Sequence, residues 1–252
     1  TLGLCSLLSI DTVAQSQKMA IAMLTAKAVS ITINEGSTLK VAGDLSIAAG
    51  GSIINKGEII ASGAWTNAGT FNERTGIVVM NGSGSDDMTG VSFFNNLTIR
   101  KTGGAYKKIA SGAGTQSVWG TLSLESGNFD VRFDSLILIS DAVGTARVGE
   151  VGTGFLTGDF TMQRYIAGPD GWRILASPVF GADIESWNDD FVMSGFTGTD
   201  DPSSSFTSVY TYSEPVAGPS DSGYVKPTST SDIMGLGEGH YCWVGDSPGV
   251  PI

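Results

Sequence analysis

Short apolar stretches, each ended by Gly, Asn or Ser, follow one another between residues 30 and 140. Within most of them every second residue is apolar, as in Ile31 and Ile33 or in Leu122 and Leu124. This period of two is typical of β-strands with one buried face, and no part of the ladder keeps a helical i, i+3, i+4 pattern. The pattern therefore predicts an all-β ladder of short strands. The segments are 30–34, 38–43, 44–54, 58–67, 76–84, 95–104, 120–129 and 135–140.

One phrase recurs in this ladder: Gly or Asn, any residue, Leu, any residue, then Ile or Leu. It occurs at 43–47, 95–99 and 120–124. A unit that repeats but is too short to have a core of its own must stack on its neighbours. Residues 30–150 are therefore predicted to form a right-handed parallel β-solenoid (β-helix). Because the repeat is irregular, a β-sandwich with hairpin turns remains the alternative.

Residues 1–29 precede the ladder. The apolar run at 2–10, followed by polar residues, predicts either the remnant of a secretory signal peptide or an N-terminal cap of the solenoid. This run is too short to span a bilayer, so no membrane insertion is expected. Residues 17–28 are the best helix candidate in the first half of the chain, and a short helix or strand there would cover the open end of the solenoid.

The charge balance changes near residue 150. The chain has 252 residues and a formal net charge of −11, of which residues 1–150 contribute −1 and residues 151–252 contribute −10. This break predicts a second, acidic domain over 151–252. Its charge argues against nucleic acid and anionic membranes as partners. With 35 Gly and only 15% charged residues, the whole composition favours a turn-rich β protein outside the cell.

The second domain is predicted to be a small β-sandwich-like module. Alternating apolar positions occur at 159–166, 172–179, 206–212 and 235–246, and turn residues separate them. Residues 182–191 are predicted to form a short helix with Asp183 as its N-cap. The last residues, 247–252, contain no closing strand, so we expect the natural chain to continue.

Residue types that are rare in proteins occur in a characteristic order in the second domain, in the segments FTMQRYI, GWRILASPV and GEGHYCWVGD (160–246). Together with the ladder segment at 95–127, they resemble large secreted surface proteins of Bacteroidota, which are exported by the type IX secretion system and have an adhesin-type solenoid. The resemblance implies a location outside the cell or on the outer surface of a Gram-negative bacterium. It carries over no catalytic residues.

Two sets of residues are candidates for ligand binding. Asp189, Asp190, Asp200 and Asp201 could supply oxygen ligands to calcium, and a solvated acidic loop is the simpler interpretation. No other cofactor is predicted. Trp172, Trp187 and Tyr210, with Trp243 and Tyr212, could form a platform for an extracellular glycan, although large aromatic side chains more often belong to a core.

The remaining charged residues suggest no catalytic site. The single histidine, His240, lies in an apolar strand, and the acids of the ladder share no spacing that would pair two carboxylates. A basic cluster of Arg100, Lys101, Lys107 and Lys108 is predicted to be a solvated face or to protect an edge strand against pairing, and contact with an anion or polysaccharide is the alternative.

We therefore expect a non-enzymatic structural or adhesin-like protein that associates with itself, as a filament or surface layer, or with other surface proteins. The alternatives are a carbohydrate-binding adhesin module that uses the surface aromatics, and a β-helix polysaccharide lyase or hydrolase.

Overall fold

The computed structural model describes residues 8–10, 18–27, 29–71, 75–112, 114–132 and 136–245, with side chains from Ile21 onward. It divides into two compact units, Thr1–Ile166 and Ala167–Ile252. The first unit confirms the predicted β-solenoid, with parallel strands stacked in about 6 turns. No helix long and apolar enough to cross a bilayer occurs among the described residues.

Two seven-stranded parallel sheets form two sides of the solenoid. The strands of sheet I are β2 (Lys18–Ile21), β5 (Thr38–Val41), β8 (Glu58–Ala61), β10 (Ile77–Gly82), β13 (Asn96–Lys101), β16 (Thr121–Ser126) and β19 (Arg147–Val151). The strands of sheet II are β3 (Leu24–Ala26), β6 (Leu45–Ile47), β9 (Trp65–Asn67), β11 (Asp86–Gly90), β14 (Tyr106–Ile109), β17 (Asn128–Asp130) and β20 (Phe155–Thr157).

The third side consists of two shorter parallel sheets. One contains β1 (Leu8–Ile10), β4 (Ser30–Ile33) and β7 (Ser52–Asn55), and the other contains β12 (Ser92–Phe94), β15 (Gln116–Val118), β18 (Leu136–Leu138) and β21 (Thr161–Met162). Backbone bonds through Thr70 and Phe71 bridge them: Ile53 N donates to Thr70 O at 3.0 Å, and Phe93 N donates to Phe71 O at 3.2 Å.

Alternate residues of each strand point into a shared apolar core. In sheet I the successive pairs are Leu39 with Ile59, Ile59 with Val78, Val78 with Leu97, and Leu97 with Leu122. All five of these side chains are at most 2% exposed. No coil has enough apolar area for a core of its own, so each depends on its neighbours.

Residues 8–10 and 18–26 belong to the first coil, which corrects one prediction. Strands β2 and β3 replace the helix predicted over 17–28, because Lys18–Ile21 pairs in parallel with Thr38–Val41. Residues Leu8–Ile10 form a strand paired with β4. The rest of the predicted signal-peptide segment up to residue 15, including Cys5, lies outside the described residues.

The solenoid also extends further than predicted. Strands β19, β20 and β21 continue three of its sheets beyond residue 147, so the first unit ends at Ile166 rather than near 150. The change in charge near residue 150 therefore falls within the last coil and does not mark the boundary.

The second unit contains one antiparallel sheet in the order β22, β25, β23, β24, where the prediction was a two-sheet sandwich-like module. Its strands are β22 (Gly171–Leu175), β23 (Val209–Tyr212), β24 (Tyr224–Val225) and β25 (His240–Val244). Two 3-10 helices, Ile184–Trp187 and Ser220–Gly223, interrupt the loops. Asp183 caps the first of these as predicted, since its side chain accepts a bond from Ser186 N at 3.1 Å.

Candidate functional site

The strand pairing of the second unit gathers aromatic side chains on one side of its sheet. Trp172 lies opposite Trp243, Tyr210 lies opposite Tyr241, and Tyr212 lies opposite Tyr224. Alternation along a strand sends these residues to the same side and the residues between them to the other. We call this surface the aromatic face. Its members are Trp172, Tyr210, Tyr212, Tyr224, Tyr241 and Trp243.

The rings of the aromatic face form a continuous series. Trp172 stacks on Tyr241 with ring centroids 4.4 Å apart and an interplanar angle of 8°. Trp243 meets Trp172 edge-on at 5.8 Å, Tyr224 lies 5.6 Å from Tyr241, and Tyr212 lies 5.2 Å from Tyr224. These separations fall within the range of attractive aromatic contacts, so the rings hold one another in place.

The aromatic face is accessible to solvent, whereas the opposite side of the sheet is buried. Tyr212 is 50% exposed, Tyr224 is 44% exposed, and the neighbouring Ile174 is 77% exposed. On the opposite side, Val209 and Cys242 are fully buried in the unit's apolar core. The other four rings of the aromatic face are partly buried, so the surface is a row of aromatic rings that is most open at Tyr212 and Tyr224. A contiguous aromatic surface of this kind is a candidate binding site.

The structure brings together four of the five predicted platform residues, because Tyr212 and Trp243 join two others on the aromatic face. Trp172 and Tyr210 lie with ring centroids 6.1 Å apart on the aromatic face. Trp187 does not lie on the aromatic face, contrary to the prediction. It belongs to a 3-10 helix that packs on the buried core, where its ring lies 6.4 Å from that of Phe191 and 5.7 Å from that of His240.

The sequence analysis missed Tyr224 and Tyr241 as members of this surface. The signal for Tyr241 was present, because HYCWV alternates and places Tyr241 and Trp243 on one side of a strand. Tyr224 lies in a two-residue strand, which is too short to leave a periodic pattern.

The four predicted calcium ligands differ in their contacts. An oxygen of the Asp200 carboxylate accepts a bond from Met193 N at 2.9 Å, and Asp201 accepts one from Ser203 Oγ at 2.9 Å. Desolvation and the carboxylate of Asp189 raise the pKa of Asp190. In the described part of the chain, no three acidic, His or Cys side chains are grouped so that they could hold a metal ion.

His240 and Cys242 are buried on the core side of the sheet. His240 is 2% exposed, as predicted for a histidine within an apolar strand, and its Nδ1 lies 3.1 Å from Glu238 O. Burial raises the pKa of the Cys242 thiol to about 12, so the reactive thiolate form is suppressed at neutral pH.

The solenoid has a shallow groove of about 360 Å³ along the edge of sheet I where its strands begin. Glycines at the corners of three coils, together with Lys56, Glu58 and Asn96, line it. Among the described residues that line it, Glu58 carries the one carboxylate, and that group accepts a bond from Thr38 Oγ1 at 3.2 Å. Hydrolysis of a glycosidic bond ordinarily requires two carboxylates across the scissile bond.

The basic cluster of the solenoid is not solvated throughout, contrary to the prediction. Arg100 is solvated and pairs with Glu125, but Lys101 and Lys107 point into the core and have fully buried side chains. Both lysines bind the carboxylate of Asp86, with Lys101 Nζ at 2.6 Å and Lys107 Nζ at 2.5 Å. Burial lowers the pKa of Lys107 to about 8 despite the opposing effect of Asp86.

The fold and the aromatic face together define a β-solenoid joined to an acidic antiparallel module with a solvent-accessible aromatic surface. No protein-family model, no curated protein and no solved structure matches the chain.

Proposed function

We propose that this chain is a non-enzymatic, adhesin-like binding protein of the cell surface or the extracellular space. In this proposal the stacked coils are a stiff support, and the antiparallel module binds carbohydrate through its aromatic face. The observation that carries the proposal is the continuous series of partly exposed rings from Trp243 through Trp172, Tyr241 and Tyr224 to Tyr212.

The chemistry of these side chains suits sugars. Trp and Tyr combine a flat apolar ring with a polar N–H or O–H group, which matches the apolar face and the hydroxyl rim of a pyranose. Because neighbouring rings fix one another, little conformational entropy is lost on binding. The resemblance to surface proteins exported by the type IX system supports the extracellular location.

Binding is favoured over catalysis by the surroundings of the candidate groups. In the part of the groove that the structure describes, Glu58 is the one lining carboxylate, and His240 is buried on the core side of its sheet. Neither arrangement supplies the acid and base pair that a lyase or hydrolase uses.

The proposal is tested by glycan binding. Purified protein is screened on a glycan array, and the bound glycans are then titrated against Trp172→Ala. We expect a loss of about tenfold or more in affinity, because the variant removes the ring at the centre of the series.

Trp119→Ala is the matched control, since Trp119 is a half-buried tryptophan of the solenoid, and it is expected to bind as the wild type does. The proposal fails if no glycan binds, or if Trp172→Ala with an unchanged circular-dichroism spectrum binds as tightly as the wild type.

Self-association is a second candidate function, and the last coil favours it. Strands β19 and β20 each pair on one side only. Val151 is 51% exposed and Phe155 is 56% exposed at this edge. An open strand edge with apolar side chains can accept a strand from another copy of the chain.

A further inference from the structure

The charge of the second unit bears on which carbohydrate the aromatic face selects. Residues 167–252 contain 12 acidic and 2 basic side chains, which gives a net charge of −10. Arg173 donates to the carbonyls of Trp172 and Pro169, and Lys226 donates to Gly195 O. Both basic groups therefore bind backbone of the unit itself, and its surface potential is strongly negative.

Exposed carboxylates lie in the segments that adjoin the strands of the aromatic face at two of its ends. Asp170 directly precedes β22, and its carboxylate lies beside Gly245, which follows β25. At the other edge, the connection from β23 to β24 carries Glu214 and Asp221, both exposed. The rings in between add to the same field, because the face of an aromatic ring attracts cations.

This arrangement distinguishes among ligands. A uronate or sulfated glycan would be repelled, and a second copy of the module would bring together two units that each carry −10. A neutral glycan would use the rings alone. A sugar with protonated amino groups would use the rings and the carboxylates together.

We propose that the aromatic face selects polymers of amino sugars with free, protonated amines, such as oligomers of glucosamine. The pyranose faces stack on Trp172 and its neighbours, and the ammonium groups pair with Asp170, Glu214 and Asp221. The inference rests on the proposed function, because it names the class of carbohydrate bound at the same site.

The test compares three hexasaccharides on the full chain, by calorimetry and tryptophan fluorescence at about pH 6, where the amines are protonated. The probes are the hexamers of glucosamine, of N-acetylglucosamine and of galacturonic acid. We expect the glucosamine hexamer to bind roughly tenfold more tightly than the N-acetylated one, and the uronate hexamer to bind most weakly. About 1 M salt should remove most of the difference.

Two variants separate charge from stacking. The double variant Glu214→Gln with Asp221→Asn should lose roughly threefold or more of its affinity for the glucosamine hexamer and keep its affinity for the N-acetylated hexamer. Glu150→Gln, an exposed carboxylate of the solenoid, should change neither affinity.

Equal affinity for the glucosamine and N-acetylglucosamine hexamers would overturn the inference and leave the proposed function standing. Binding of none of the hexamers, with no glycan bound on the array, would overturn both. Tighter binding of oligolysine than of the glucosamine hexamer would overturn the inference by assigning the face to a basic polypeptide.

Discussion

At the scale of the residue, two lysines are buried although their charge predicts exposure to solvent. In NLTIRK, the residues Leu97, Ile99 and Lys101 share one side of the strand, and all three are buried. The alternation alone thus predicts that Lys101 points inward, but its charge favours a solvated position. Asp86 resolves the conflict, because its carboxylate accepts bonds from both Lys101 and Lys107. Its position opposite Lys107 depends on parallel pairing between strands distant in sequence.

The lowered pKa of Lys107 predicts a pH dependence of stability. In the unfolded chain the lysine titrates near its ordinary value of about 10.4, whereas in the folded protein its pKa is about 8. Between these values the unfolded state binds more protons, so the free energy of unfolding rises with pH; below pH 8 both states are protonated and this contribution is constant.

The measurement is chemical denaturation at about pH 7 and about pH 10. Between these two pH values, the free energy of unfolding of the wild type should rise by about 1 to 3 kcal/mol more than that of Lys107→Met. Lys108→Met is the control, because Lys108 is partly exposed and its removal should leave the wild-type slope unchanged. A slope that persists in Lys107→Met would contradict the prediction.

At the scale of the strand and turn, the sequence predicts well which segments form strands. It predicts poorly which of these strands stack on one another. The phrase at 43–47 suggests that Leu45 stacks with Leu97 and Leu122, but Leu45 belongs to sheet II and the other two to sheet I. Paired residues are 20 apart from β5 to β8 and 25 apart from β13 to β16. Coils of unequal length keep their pairing by absorbing extra residues at corners, so no fixed period marks the fold.

The turn at the end of β11 supplies an element-scale prediction. Gly90 has a φ of +83°, and a methyl group there would overlap the carbonyl oxygen of Asn67 in the coil below. Gly90→Ala should therefore destabilise the protein through both backbone strain and a steric clash. Gly103 has a φ of +65° with open space around it. Gly103→Ala should lower the free energy of unfolding by about 1 kcal/mol, because its one effect is to hold an alanine in the left-handed conformation.

Urea denaturation of the two variants separates these effects, and Gly90→Ala should be the less stable by about 2 kcal/mol or more. Equal midpoints would mean that the coils can move apart to admit the methyl group, contrary to the close stacking described.

At the scale of the whole molecule, composition and alternation predict an all-β chain with a solenoid, and they predict an acidic second unit. They do not predict which of its aromatic residues share one side of the sheet. That property depends on antiparallel pairing between Trp172 and Trp243, which are distant in sequence. Nor does the helix propensity of the Ala- and Met-rich segment 17–28 reveal its strands, because pairing with the next coil outweighs local preference.

The open edge of the last coil predicts self-association. In sedimentation velocity over a range of concentrations, the wild type should form larger species as the concentration rises. Val151→Lys should shift the protein toward the monomer, since a lysine at a strand edge opposes strand addition.

Val91→Lys is the control, because Val91 is 50% exposed but lies at a corner between β11 and β12 rather than on the edge. A wild type that stays monomeric throughout, or a Val151→Lys variant that associates equally, would remove this second candidate function.

Stacking by neighbours has a mechanical consequence. Each coil is held to the next by short parallel ladders and by its share of the core, and no strand crosses several coils. A load applied along the stack would detach one coil at a time, and each coil of 19 to 27 residues would release roughly 60 to 100 Å of chain. A solenoid built in this way is stiff under a small load, and under a larger one it yields coil by coil instead of failing in a single rupture.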